Sequence, residues 1–355
     1  MKLKCLGDRL AGASSIARMV VPRSPALPVL TYVEIEAKDG RAYLRATDLE
    51  KMVVVDLFAA VEEEGKVLIP LKKLRKFVKH EKGTVVIESK DCGVWLSDAD
   101  GQVKVYIETL PPTDELPRIE CGETEYDVGE EFVLNLKRAW PFSAEEEPRP
   151  VLGAVLVESL GEGKVFFAAA DGFRLFTSSM NLSLPAGSWL LPRSTCAILA
   201  GIMKKKQAVK MGCDSGKMWF EVEPDVKFVS QLIQGNFPVY RMLIPTAPPV
   251  WTFTVSGPLL QSRVLQFQST IVRLTKTEDG FLKLAMADDD DSFEAQLPAE
   301  MTGDGKIALN PMYLADVAKL FAELTVEVTA FSAPVRIHGD LAGVVIVVMP
   351  MFVQW

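Results

Sequence analysis

The chain is poor in the residues that usually make a reactive centre. Its 355 residues include two histidines, His80 and His338. That rules out a histidine-rich metal centre, and neither sits in a triad-like motif. Five cysteines, Cys5, Cys92, Cys121, Cys196 and Cys213, include no C-x-x-C, and the smallest gap is 17 residues. That spacing is too wide for a zinc knuckle or ribbon, and the odd count favours buried free thiols in a reducing compartment. No Walker A sequence, G-x-G-x-x-G or G-x-S-x-G occurs, so phosphate-loop, dinucleotide and nucleophile-elbow chemistry are all absent. Met1 to Ser15 lacks the apolar core of a signal peptide. The longest greasy stretch, Leu341 to Val353, contains a proline and is too short to span a bilayer. A cytoplasmic protein is expected.

Acid exceeds base, with 47 Asp plus Glu against 39 Lys plus Arg and a net charge of −8. The distribution matters more than the sum. Lys72, Lys73, Arg75, Lys76, Lys79 and Lys82 crowd one segment against Glu81 alone. Arg193, Lys204, Lys205 and Lys206 crowd another without any acid. Lysines meet phosphate as flexible point charges and read no sequence, so binding through them would be salt-sensitive and sequence-blind. No aromatic ladder for stacking a single strand accompanies them, which favours duplex.

These basic segments recur within a repeat, the first feature to seek in any chain of this length. Leu27 to Asp48, Pro150 to Asp171 and Ser269 to Asp288 each read as a strand, a Gly-bearing turn, a second strand and an aspartate. A second signature follows in each: Gly65 to Pro70, Gly187 to Pro192, and Gly305 to Pro311. Each ends in a proline suited to the first turn of a helix. Helical patterns then start at Leu71, Arg193 and Pro311, and strand patterns resume at Thr84, Val209 and Thr325. Earlier helices are expected over Asp8 to Val20, Asn135 to Phe142 and Pro258 to Phe267. The fold class is therefore α+β: three repeated units, each with two helices on antiparallel sheets. Proline-rich joints at Leu110 to Ile119 and Ile244 to Val250 divide the chain into 1–122, 123–246 and 247–355.

The strongest candidate for enzyme chemistry is Asp288-Asp289-Asp290-Asp291, used with Asp171 or Asp48 as a metal-dependent nucleic-acid enzyme. Adjacent carboxylates can hold Mg²⁺ or Ca²⁺ only if the chain brings in further ligands. Asp48 and Asp171 recur at strand ends, which suggests a turn or cap role. No cofactor, metal or catalytic residue is expected.

Several motifs together carry a family resemblance. They are Ala46-Thr47-Asp48-Leu49-Glu50, Asp171-Gly172-Phe173-Arg174-Leu175, Gly235-Asn236-Phe237-Pro238-Val239-Tyr240-Arg241 and Val348-Met349-Pro350-Met351. With the threefold repeat, they resemble the bacterial sliding clamp, the beta subunit of DNA polymerase III. The resemblance implies a head-to-tail homodimer, a ring whose helices line a central pore. Its function would be to encircle duplex DNA and tether the replicative polymerase, the clamp loader and other clamp-binding peptides. The positions it matches for duplex contact are Arg23, Lys72, Lys73, Lys79 and Arg193. Lys76 and Lys204 to Lys206 join them on charge.

The resemblance also implies a pocket for partner peptides. The matching positions are Leu152, Gly172, Phe173, Leu175, Pro238, Met242, Leu243, Val347, Met349, Pro350 and Met351. Met242 and Phe173 replace a basic residue and a histidine common in relatives, which implies a greasier pocket. Glu145 to Glu147 occupy a loop where polar DNA-approaching residues are often found. Gln354 and Trp355 extend past the usual end, where the indole would cover or extend the pocket. The stretch between Phe267 and Val272 is short, so a pocket wall is expected to be missing. On ring closure, Asp288 to Asp291 would approach Lys72, Lys73 and Lys76. A clamp-like scaffold that does not encircle DNA remains the other reading, kept open by the third helix, which is not basic, and the acidic loop.

Overall fold

The computed structural model describes residues 1–25, 27–90, 93–111, 114–123, 126–145, 149–203, 208–222, 224–266, 268–287 and 291–355. Lys204 to Lys206, Asp288 to Asp290, Glu146, Glu147, Phe267 and Cys92 lie outside the described residues.

The chain gathers into two compact units, Met1–Val133 with Ser194–Leu232, and Leu134–Arg193 with Ile233–Trp355. The first contains a five-stranded sheet in the order 60–63, 2–6, 84–90, 93–98, 104–108. It also contains an eight-stranded sheet in the order 126–127, 209–213, 217–222, 226–231, 51–56, 41–47, 32–38, 65–70. The second contains a nine-stranded sheet in the order 187–192, 154–159, 164–170, 174–181, 345–348, 335–339, 323–328, 251–256, 300–303. Its four-stranded sheet runs 292–297, 282–287, 272–276, 306–309. The two larger sheets each join strands of successive repeats. Val55, Val53 and Lys51 lie opposite Val226, Phe228 and Ser230 in one, and Arg174 to Thr177 opposite Val348 to Val345 in the other.

Six helices are described: α1 (Gly7–Val20), α2 (Leu71–Val78), α3 (Gly129–Ala139), α4 (Arg193–Ile202), α5 (Gly257–Val264) and α6 (Pro311–Ala318). α3 starts six residues before the expected Asn135 and passes into a 3-10 turn, Trp140–Phe142. α6 ends at Ala318 in a turn, with the Leu320 amide donating to Val317 O at 3.0 Å, and the next strand begins at Glu323.

The prolines divide in their roles. Pro311 opens α6 as expected, behind Asn310, whose Oδ1 accepts the N–H groups of Met312 (2.9 Å) and Tyr313 (3.3 Å). Pro70 and Pro192 instead finish the strands before α2 and α4. Both of those strands lie at a sheet edge, where the missing N–H breaks no ladder. The third repeat carries one extra residue, Asn310, and that residue is the cap.

Sequence reading missed the glycine that starts α1, α3 and α5. A Cβ on Gly7 would lie 2.2 Å from the Glu81 carbonyl oxygen, and one on Gly257 would lie 2.1 Å from that of Phe321. Each glycine amide also donates to the segment it presses on, to Gly83 O at 2.7 Å and Ala322 O at 3.0 Å. Gly257→Ala must push backbone from backbone. It is expected to cost about 1–3 kcal/mol, measurable as a lower urea midpoint with an unchanged slope.

The cores are aliphatic with large aromatic fillers, Phe132, Phe220 and Phe228 in the first unit and Trp251, Phe253, Phe167 and Phe176 in the second. Cys5 and Cys196 are buried free thiols, and burial pushes the Cys5 thiol up to about 12. Cys121 departs from the expected burial and is exposed. Among the described residues, no helix is long and apolar enough to cross a membrane.

Candidate functional site

Two features of the described surface stand out, an apolar pocket in the second unit and a basic helix face in the first. The pocket is built around the turn joining strands 164–170 and 174–181. Asp171 Oδ1 accepts the N–H groups of Phe173 (3.0 Å) and Arg174 (2.9 Å), which closes the turn. Gly172 takes φ +93°, a left-handed conformation that suits glycine. The turn holds the Phe173 ring out, 61% exposed. The chain leaving strand 345–348 then runs alongside, and the Met349 amide donates to Phe173 O at 2.8 Å.

Beneath the turn, each side-chain nitrogen of Arg174 makes a hydrogen bond. Its guanidinium donates to Asp171 (2.8 Å), to Asp316 of α6 (2.6 Å) and to the Pro141 carbonyl (2.9 Å). It also stacks over the rings of Phe142 (5.0 Å) and Tyr313 (4.5 Å). Tyr313 in turn stacks with Phe173, ring centroids 6.5 Å apart.

The pocket so framed has a volume of about 610 Å³. It is lined by seven of the eleven expected residues: Gly172, Phe173, Leu175, Met242, Leu243, Val347 and Met349. Leu152 lies below them in the buried cluster that also holds Leu175 and Val347. Pro238 lies in a separate hollow with Tyr240, Arg241 and Glu158. Pro350 is buried, and Met351 is half-buried with its amide donating to Ala308 O at 2.7 Å.

The wall missed by sequence reading is Ile244 to Ala247, faced by Thr329, Ala333 and Pro334. In the sequence those residues read only as a proline-rich joint. The Trp355 ring lies 4.9 Å from Lys306 Nζ, and neither residue lines the pocket. Among the described residues, Arg174 is the one charged residue in the lining, and each of its three side-chain nitrogens already donates, to Asp171, Asp316 and the Pro141 carbonyl. The pocket therefore offers mainly apolar contact, the usual make-up of a ligand cleft.

The basic face belongs to α2. Leu71, Leu74, Phe77 and Val78 are buried, while Lys72, Lys73, Arg75 and Lys76 are exposed, as is Lys79 at its end. The helix contains no acidic residue. Arg23, just beyond α1, is also exposed. Arg193 is differently placed, since its guanidinium donates to Trp140 O (3.2 Å), Ser143 O and Glu145 (2.7 Å) and stacks on Trp140. Glu145 is thus half of an ion pair.

The strand-end aspartates serve as turn caps. Asp48 Oδ1 accepts the amides of Glu50 (3.0 Å) and Lys51 (2.7 Å), and its other oxygen lies 2.9 Å from Lys51 Nζ. Asp171 does the same in its turn. Among the described residues, no group of three or more His, Cys, Asp and Glu could hold a metal ion.

Comparison with known proteins points one way. Residues 1–114 match the model of the N-terminal domain of the DNA polymerase III beta subunit, and residues 133–239 match that of its central domain. The beta sliding clamp of Streptomyces coelicolor is 26% identical, over 89% of this chain and 87% of its own. The sliding clamp of Bacillus subtilis superposes with a TM-score of 0.89 over the full length of both chains, at 19% identity. That of Bartonella birtlesii, solved bound to griselimycin, superposes with a TM-score of 0.90 at 24% identity, covering 99% of this chain and all of its own.

Proposed function

The chain belongs to the DNA polymerase III beta-subunit family, the bacterial sliding clamps, and we propose that it encircles duplex DNA as a head-to-tail homodimer in the bacterial cytoplasm. It is a DNA sliding clamp, a non-catalytic processivity factor of the polymerase. Neither a metal-dependent enzyme nor a scaffold detached from DNA finds support in the comparisons.

The observation that carries encirclement is the division of α2 into a buried apolar stripe and an exposed face of five cations. Lys72, Lys73, Lys76 and Lys79, with Arg23, would face the phosphates. Lys204 to Lys206 add charge from the matching place in the second repeat. Arg193 joins them only by giving up Glu145. Weak, water-screened contacts suit a protein that must move along DNA, and the ring topology does the holding. The proposed units are 1–122, 123–246 and 247–355. Two chains place six units around the duplex, joined by heterologous contacts that close on themselves.

The pocket between Phe173, Met242 and Met349 is proposed to receive extended peptides from the polymerase, the loader and other partners. Its methionines adapt to varied side chains, which suits exchangeable partners. A direct test loads the protein with a matching loader onto nicked circular DNA and then linearises the DNA. The expected result is rapid loss from linear ends and retention on circles. Equal retention on both would defeat encirclement.

A further inference from the structure

The methionines of this chain are unevenly exposed. Met211, Met218 and Met286 are at most 1% exposed, and Met52 is buried as well. Four methionines are exposed: Met19, Met242, Met312 and Met349. Two of them, Met242 at 83% and Met349 at 43%, line the same apolar pocket. They are held on different segments. Met242 sits in the 3-10 turn Tyr240–Leu243, and Met349 is fixed by its amide bond to Phe173. Their thioethers are the soft, oxidisable groups of a lining whose one charged residue among the described residues, Arg174, has each side-chain nitrogen bonded to Asp171, Asp316 or Pro141.

We propose that Met242 and Met349 are a methionine-oxidation site that releases clamp partners under peroxide stress. This rests on the reading of the pocket as the partner-peptide site. In the reaction, hydrogen peroxide transfers one oxygen atom to each thioether sulfur. The O–O bond breaks, the sulfur is oxidised to the sulfoxide, and the peroxide is reduced to water. The product is polar and chiral where the thioether was apolar. A bound apolar peptide would cover the sulfoxide oxygen and strip it of water, while each side-chain nitrogen of Arg174 is already engaged with Asp171, Asp316 or Pro141. The change is reversible by methionine sulfoxide reductases, one per epimer, so it is a switch rather than damage.

The test treats the full-length protein with hydrogen peroxide, maps the sulfoxides by peptide mass spectrometry and measures affinity for the purified replicative polymerase. Met242 and Met349 are expected to gain oxygen well before Met211, Met218 and Met286. Affinity should fall at least about tenfold, equivalent to about 1.4 kcal/mol, and return after reductase treatment. In M242L/M349L the ratio of treated to untreated affinity should be one, whatever that variant's own affinity. In M19L/M312L, which alters the exposed methionines outside the pocket lining, the fall should persist. Full oxidation of Met242 and Met349 with unchanged affinity overturns the switch while leaving the pocket intact. Failure of the untreated protein to bind polymerase overturns both.

Discussion

Replacing Lys72, Lys73, Lys76 and Lys79 together by glutamine is expected to cut the amount of protein retained on nicked circular DNA at least about tenfold at near-physiological salt. All four side chains stand exposed on or just after α2, whose buried face is Leu71, Leu74, Phe77 and Val78. Glutamine has nearly the helix propensity of lysine. It also avoids placing a negative charge at the helix C-terminus, which glutamate at 76 or 79 would do. The fold should be nearly untouched, with each surface change worth within about 0.5 kcal/mol. Direct duplex binding without a loader provides the sharper measurement. Its log–log salt dependence should lose up to about 0.9 for each phosphate contact removed, uniformly across DNA sequences. An unchanged slope would show that this face does not meet phosphate.

The second large effect concerns the pocket. Phe173→Ala combined with Met349→Ala is expected to weaken polymerase binding by about two orders of magnitude, because buried apolar anchors of a small interface carry about 2 kcal/mol each or more. Phe173 is 61% exposed and Met349 43% exposed, so truncation empties little of the core beneath them. Leu152, Leu175 and Val347, which form the buried floor, are left in place. Surface plasmon resonance with immobilised polymerase reads the affinity, and primer extension at high salt reads the loss of processive synthesis. DNA retention once loaded should stay near that of the unaltered protein, which separates this variant from the lysine replacements. Full affinity in the double variant would place the docking site elsewhere.

Much of this was legible in the sequence for identifiable reasons. The period-3.6 spacing of Leu71, Leu74 and Phe77 among lysines announced both the helix and its two faces. The Asp-Gly-Phe-Arg turn was legible because an aspartate that caps its own turn and a glycine with positive φ leave strong local signatures. Other elements depend on contacts far apart in sequence and left no such mark. Tyr313 lies 140 residues from Phe173 in the chain, and the contact exists because α6 is brought beneath the turn, where Arg174 bonds Asp316 and stacks on Tyr313. Ile244 to Ala247 reads as a linker because proline-rich segments usually are linkers, yet its side chains wall the pocket. Gly7 and Gly257 read as ordinary residues before a helix. Their need for a bare Cα appears only when the carbonyls of Glu81 and Phe321 arrive. Trp355 reads as a lid for the pocket, yet its ring lies against Lys306.

The eight-stranded sheet, in which Lys51–Asp56 pairs with Val226–Gln231, constrains how the protein can be cut or recombined. A truncation at Gly122 would keep every residue of the first repeat and still strip one side from that strand. It would leave Met52, Val53, Val54 and Val55 as a bare apolar edge, open to pairing with any other chain. Such a fragment is expected to aggregate, whereas Met1–Val133 would need Ser194–Leu232 restored to hide the same edge. For gene fusion, domain exchange or split-protein reporters, the safe joints are therefore found by following hydrogen-bonded strands, and the repeat boundary is the wrong place to cut.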